Sequence, residues 1–124
     1  MGEVIVDLTL SSVLHPEITR TVRAIADTGA MLSSLPETLA RELGLEPARM
    51  AQARLADGGV QRVGVLHGVI FEIDGRQTSD EALVLGDQVL IGQTVLEKMH
   101  LLVDCAGRRL VQDPEQPDYT VYRV

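Results

Sequence analysis

From Glu3 to Leu10 the chain alternates apolar and polar residues, with Val4, Val6, Leu8 and Leu10 on one face and Ile5 among polar residues on the other. Period-two alternation is the mark of a half-buried strand. Ser11–Glu17, which contains His15-Pro16, reads as a loop, and Ile18–Ala26 reads as a strand running back against the first. This second strand delivers one carboxylate, Asp27, onto a Thr28-Gly29 turn. Ser34 and Glu37 then have capping-box spacing, and Pro36 is tolerated in a first helical turn. Leu35, Leu39 and Leu43 lie four apart and Gly44 is a natural stop, so a short helix is predicted between Ser34 and Gly44.

The remainder alternates between strand-like runs and turn residues. Ala48–Leu55 and a run from Val60 to about Leu66 flank Ala56-Asp57-Gly58-Gly59, a hairpin tip in which Asp-Gly is expected to supply positive φ angles. Val69–Ile73 reads as a further strand, Asp74-Gly75 as a tight turn, and Glu81–Leu85 as the next strand. Val89-Leu90-Ile91-Gly92 is an apolar run, followed by a short helix over Gln93–His100 with Val95, Leu96 and Met99 on one face. A last hairpin joins Leu101–Asp104 to Arg109–Val111 around Ala106-Gly107, where Asp104 is placed to pair with Arg108 or Arg109. The pattern predicts one mostly-β, barrel-like domain over residues 1–111 with two short helices. Residues 112–124 form a tail, acidic and proline-containing at first and strand-like from Tyr119 to Val124.

Composition narrows this picture. The chain is 45% hydrophobic but only 2% aromatic, with Phe71 its one phenylalanine, so the core must be built from Val, Leu, Ile and Ala. A net charge of −7 and the absence of any basic stripe argue against nucleic acid as a partner. The single cysteine, Cys105, rules out an internal disulfide, fits a reducing compartment and is expected to be a small buried thiol. No apolar run is long enough to cross a bilayer, so a cytoplasmic protein without a membrane partner is expected. His15, His67 and His100 are dispersed, without helical spacing or acidic neighbours, so neither a metal site nor a cofactor is expected.

Asp27 is the candidate for chemistry. A carboxylate at the end of an apolar strand is costly to bury unless it is hydrogen-bonded or shares its site with another ionisable group. The plainer reading is a turn residue bonding its own backbone. Asp57-Gly58-Gly59 is equally an ordinary hairpin turn, and Ile91 is equally plain core.

The order of three features resembles the retropepsin-like aspartic proteases, the single-domain family with retroviral and bacterial members. They are the apolar strand entering Asp27-Thr28-Gly29-Ala30, the glycine-rich hairpin at Ala56–Gly59, and Leu90-Ile91-Gly92 with Leu96 after it. The resemblance runs from about Val4 to Val111. It implies a closed retropepsin-like acid-protease β-barrel with two short α-helices and an aspartic endopeptidase activity on peptide or protein substrates. It further implies that Asp27 is the catalytic carboxylate and that Thr28 bonds across a dimer axis. Gly29 would admit substrate backbone, Ala30 would line a pocket, Asp57, Gly58 and Gly59 would form the flap tip, and Ile91 would back the carboxylates with an apolar wall. The chain holds a single Asp-Thr-Gly, so the second carboxylate must come from another copy, in a two-fold homodimer. Ala30, Met31, Val60 and Ile91 suggest an apolar cleft.

Two linked positions depart from the retroviral pattern. Retroviral enzymes commonly carry an acid directly after Asp-Thr-Gly-Ala and an arginine after the later glycine, where this chain has Met31 and Gln93, so that ion pair cannot form. The final hairpin around Gly107 also extends beyond the shortest retroviral chains. A non-catalytic dimeric peptide-binding or assembly module on the same fold is the alternative reading.

Overall fold

The computed structural model describes residues 3–115. The opening alternation becomes strand β1 (Val4–Ser12), antiparallel to β2 (Arg20–Ala26) from Val4 opposite Ala26 to Leu10 opposite Arg20. Val4, Leu8 and Leu10 are buried and Val6 packs on the core, whereas Ile5 is 41% exposed on the other face. Ser11 and Ser12 belong to β1 rather than to the loop predicted there. Both are buried, because their backbone pairs with Ile70 and Val69 of β5 (Val60–Ile73).

β5 closes the barrel. The two runs predicted on either side of His67-Gly68 form one 14-residue strand with an irregularity between Leu66 and Val69, where Gly68 takes a φ of +68°. A bulge of this kind bends a strand and increases its twist. The first half of β5 pairs with β4 (Arg49–Arg54) and the second half with β1, while the opposite edge pairs with β6 (Arg76–Val84). Asp74 and Gly75 both have positive φ, 49° and 81°, as a two-residue hairpin turn requires. β6 begins at Arg76, ahead of the predicted Glu81, because Arg76–Asp80 pairs with β5 although its residues are nearly all polar.

The predicted helix start is the main correction. Ser33–Leu35 is strand β3, parallel to β6 and opposite Leu90 of β7 (Val89–Ile91) at Ser34. Helix α1 (Glu37–Glu42) starts after Pro36 with no side-chain cap, so the Ser34–Glu37 box does not form. Its serine is already committed to the sheet, where Ser33 and Ser34 are buried. The leucine spacing still holds, since Leu35, Leu39 and Leu43 are all buried, and Gly44 ends the helix with a φ of +72°.

Strand order β1-β2-β7-β3-β6-β5, joined through β5 to β1, gives a closed six-stranded barrel with β4 appended to β5. Helix α2 (Gln93–Lys98) follows β7, with Val95, Leu96 and Met99 buried. β8 (Leu101–Asp104) and β9 (Arg109–Gln112) form a separate two-stranded ribbon. The core is built from Val, Leu, Ile and Ala apart from Phe71 and Met99. Cys105 is exposed, not buried, because it falls in the β8–β9 turn. Asp104 pairs with Arg109 at 3.3 Å and accepts the Gly107 N–H at 3.0 Å. His67 does have an acidic neighbour, Glu81 at 2.9 Å across the sheet, which spacing along the chain did not reveal. Among the described residues no group of three His, Cys, Asp or Glu is placed to hold a metal, and no helix is long and apolar enough to cross a membrane. The strand predicted over Tyr119–Val124 lies outside the described residues.

Candidate active site

β2 and β7 run parallel, with Ala24 beside Val89 and Ala26 beside Ile91. The pairing continues one step beyond β2, because the Asp27 N–H donates to the Ile91 carbonyl at 2.9 Å. The backbone of Asp27 is thus fixed to the barrel strand beside it. Gly29 N–H donates to Asp27 Oδ1 at 2.9 Å, and Ala30 N–H donates to the Asp27 carbonyl at 3.2 Å. Within one chain Asp27 is half-buried, not enclosed, and Thr28 and Gly29 are exposed. Among the described residues Oδ2 accepts no hydrogen bond and no cation pairs with the carboxylate. The local turn bond and an open carboxylate oxygen therefore coexist. A Cβ on Gly29 would lie 3.1 Å from Oδ1, so the glycine lets the carboxylate fold back over the turn.

The far side of the loop is held by α2. Gln93 N–H donates to the Ala30 carbonyl at 2.8 Å and Thr94 N–H to the Met31 carbonyl at 3.1 Å. The first N–H groups of a helix have no partner within it, and α2 has no side-chain cap, so the loop's carbonyls take that role. The buried Ser33 hydroxyl accepts the Gly92 N–H at 2.9 Å. A Cβ on Gly92 would lie 2.4 Å from the Leu32 carbonyl carbon, so only glycine allows α2 to approach this closely. Sequence reasoning singled out Gly92 without seeing its neighbour, and assigned Ser33 and Thr94 no part. The Gln93 side chain bonds Glu97 at 2.9 Å along the helix, and the loop meets α2 through backbone instead of the retroviral ion pair.

The structure brings Asp27, Thr28, Gly29, Ala30 and Ile91 together. Ile91 is fully buried in the barrel core beside the Asp27 backbone, whereas Met31 is 76% exposed. The β4–β5 tip, Asp57-Gly58-Gly59, is exposed, and Val60 after it is 54% exposed. Among the described residues no hydrogen bond joins the tip to the Asp27 loop. The tip differs from the expected Asp-Gly turn, since only Gly58 has positive φ, at 88°. Gly58 N–H donates to Leu55 O at 2.9 Å and Leu55 N–H to Gly59 O at 2.8 Å, which makes a three-residue loop ending in a glycine bulge. A groove of about 480 Å³ runs between α1 and the β4–β5 hairpin, lined by Ala40, Leu45, Pro47, Met50 and Val84, and none of its lining residues belongs to the Asp27 loop.

The model of one protein family, described as gag-polyprotein putative aspartyl protease, matches residues 19–98. That span runs from the residue before β2 to the end of α2, and holds the Asp27 loop, the hairpin and the Ile91-Gly92 segment. No curated protein matches the chain. The family match covers well over half of the sequence, and the architecture agrees with it, so the chain belongs to this retropepsin-like family of aspartyl proteases.

Proposed function

We propose that the chain is an aspartic endopeptidase that works as a homodimer, with Asp27 of each copy meeting at the two-fold axis. The observation that carries this reading is the state of Asp27. Its backbone is locked to Ile91, one carboxylate oxygen is held by Gly29, and among the described residues the other accepts no hydrogen bond. Two carboxylates brought into contact cannot both ionise, so they share one proton. The ionised member accepts a proton from a water whose oxygen attacks the peptide carbonyl, and the protonated member donates to the carbonyl oxygen. Collapse of the tetrahedral intermediate then breaks the C–N bond, and a proton passes to the departing nitrogen.

In this reading Thr28 bonds across the axis, Gly29 admits the substrate backbone and Ala30 lines a pocket. Asp57, Gly58 and Gly59 form the tip of a flap, and Ile91 backs the site. The single chain carries half of the machinery. Asp27→Asn is expected to lower peptide cleavage by at least about 10²–10⁴-fold without unfolding the protein. Cleavage by the wild type should also fall on dilution in step with dimer dissociation measured by sedimentation. Full cleavage by Asp27→Asn, or by a demonstrated monomer, would overturn the proposal.

A further inference from the structure

Asp80 stands outside every role described so far. It lies on β6 opposite Val69, beside the irregularity in β5, and its side chain is 10% exposed. A carboxylate this buried is costly unless donors surround it. Three do. The Thr94 hydroxyl donates to Oδ2 at 2.5 Å, the Glu81 N–H donates to Oδ1 at 2.8 Å, and Lys98 Nζ lies 3.3 Å from Oδ1. Thr94 and Lys98 are one turn apart on α2, so a single carboxylate fastens that helix at two points.

α2 has six residues, too few to be stable without tertiary contacts. Its placement nevertheless decides where the Asp27 loop sits. Thr94 donates its main-chain N–H to Met31 O and its hydroxyl to Asp80, so one residue joins the loop to the buried carboxylate. Gln93, one step earlier, holds Ala30 O. We infer that Asp80 is a positioning residue for Asp27, acting through the Thr94 hydroxyl to hold α2 where its first N–H groups donate to the carbonyls of Ala30 and Met31. This inference rests on the proposed catalytic role of Asp27. In a homodimer any displacement of the loop is repeated in both copies, so the gap between the two carboxylates changes by up to twice the shift.

Thr94→Val removes the hydroxyl while keeping size, and leaves Asp80 its contacts with Glu81 and Lys98. Thr94→Ser restores a hydroxyl, and Asp80→Asn tests the other partner. The full chain carrying each change is assayed for peptide cleavage and for amide hydrogen exchange at Gln93 and Thr94. Thr94→Val is expected to lower kcat by about 10–100-fold with KM changed by less than about threefold, the signature of misplaced chemistry. Exchange at both amides should accelerate in Thr94→Val and return towards wild type in Thr94→Ser. The double variant Thr94→Val/Asp80→Asn should cost less in kcat than the product of the two single losses, because the Thr94–Asp80 bond is shared while the Lys98 contact is weakened by Asp80→Asn alone. Unchanged exchange and kcat in Thr94→Val would overturn the inference, and so would a loss of kcat that Thr94→Ser fails to recover. A wild type that cleaves nothing counts against the peptidase reading instead. The exchange rates then decide the anchoring separately: acceleration in Thr94→Val supports it, and unchanged rates overturn it.

Discussion

Gly92→Ala isolates the role of close approach in building the Asp27 loop. Gly92 has a φ of −87°, which alanine adopts freely, so the backbone angle adds no strain. The cost is steric. The new Cβ would meet three backbone atoms, at 2.4 Å from Leu32 C and 2.7 Å from both Leu32 O and Ser33 N, and none can rotate away. Relief to ordinary contact requires α2 and the loop to separate by about 1 Å. That movement stretches the bonds from Gly92 N–H to Ser33, from Gln93 N–H to Ala30 and from Thr94 N–H to Met31. Overpacking of this kind costs about 1–3 kcal/mol, or about 4–12 °C in Tm for a chain of this size. On the proposed role of Asp27, a shift of about 1 Å at its carboxylate should lower kcat by about 10²-fold.

Urea unfolding followed by circular dichroism gives the first quantity, and steady-state cleavage of a peptide substrate gives the second. Gly86→Ala separates them. Gly86 has a φ of +75° and a methyl added there would meet nothing within 4 Å, so alanine is strained by backbone angle alone. Gly86→Ala should lower stability by about 1–2 kcal/mol and leave kcat unchanged once the protein is folded. Wild-type stability and kcat in Gly92→Ala would refute the argument that glycine is needed for this approach.

Two further outcomes test other parts of the fold. Phe71 is fully buried at the point where β5 pairs with β1, and Phe71→Ala should cost about 3–5 kcal/mol in urea unfolding without altering the cleavage preference of the folded protein. The Gly107 N–H, and then Arg109, hold the Asp104 carboxyl below its ordinary value of 3.8. A carboxylate held low in the folded state adds stability above its unfolded pKa and loses it as pH falls through the folded value. Asp104→Asn should therefore narrow the stability difference from wild type as pH drops below about 3.8, and a constant difference from pH 7 to pH 2 would refute that role.

What the sequence reveals follows the range of each interaction. The alternation of Val4 to Leu10, the leucines at 35, 39 and 43, and the turn at Asp74-Gly75 are local patterns, and each is realised. β3 is three residues long, too short for any period to show, and its Ser34–Glu37 spacing imitates a helix cap. β5 looks like two strands because His67-Gly68 interrupts the period where the strand bends. The Asp27 turn is legible because strand, carboxylate and glycine are neighbours in sequence. Its clamp is not, since main-chain carbonyls of Ala30 and Met31 bonding main-chain N–H groups of α2 leave no mark on residue type. Asp80 is hidden for a related reason. Among the polar residues at the start of β6 nothing distinguishes it until Thr94 and Lys98 arrive from 14 and 18 positions away.

The closure of the barrel by β5 and the seating of β7 beside β2 also set the order in which the molecule can be assembled. Thr9 pairs with Glu72 and Ala24 with Val89, contacts separated by more than sixty residues. Pairings this distant carry a high loop-closure entropy and slow folding. A chain growing from its N-terminus holds the β1–β2 hairpin and Asp27 early, but the carbonyl that receives the Asp27 N–H belongs to Ile91. Until synthesis passes that residue, the carboxylate hangs from an open hairpin edge with no site around it. Completion of the barrel thus fixes the Asp27 backbone, and a ribosome-bound fragment ending before β7 carries the motif without that anchor.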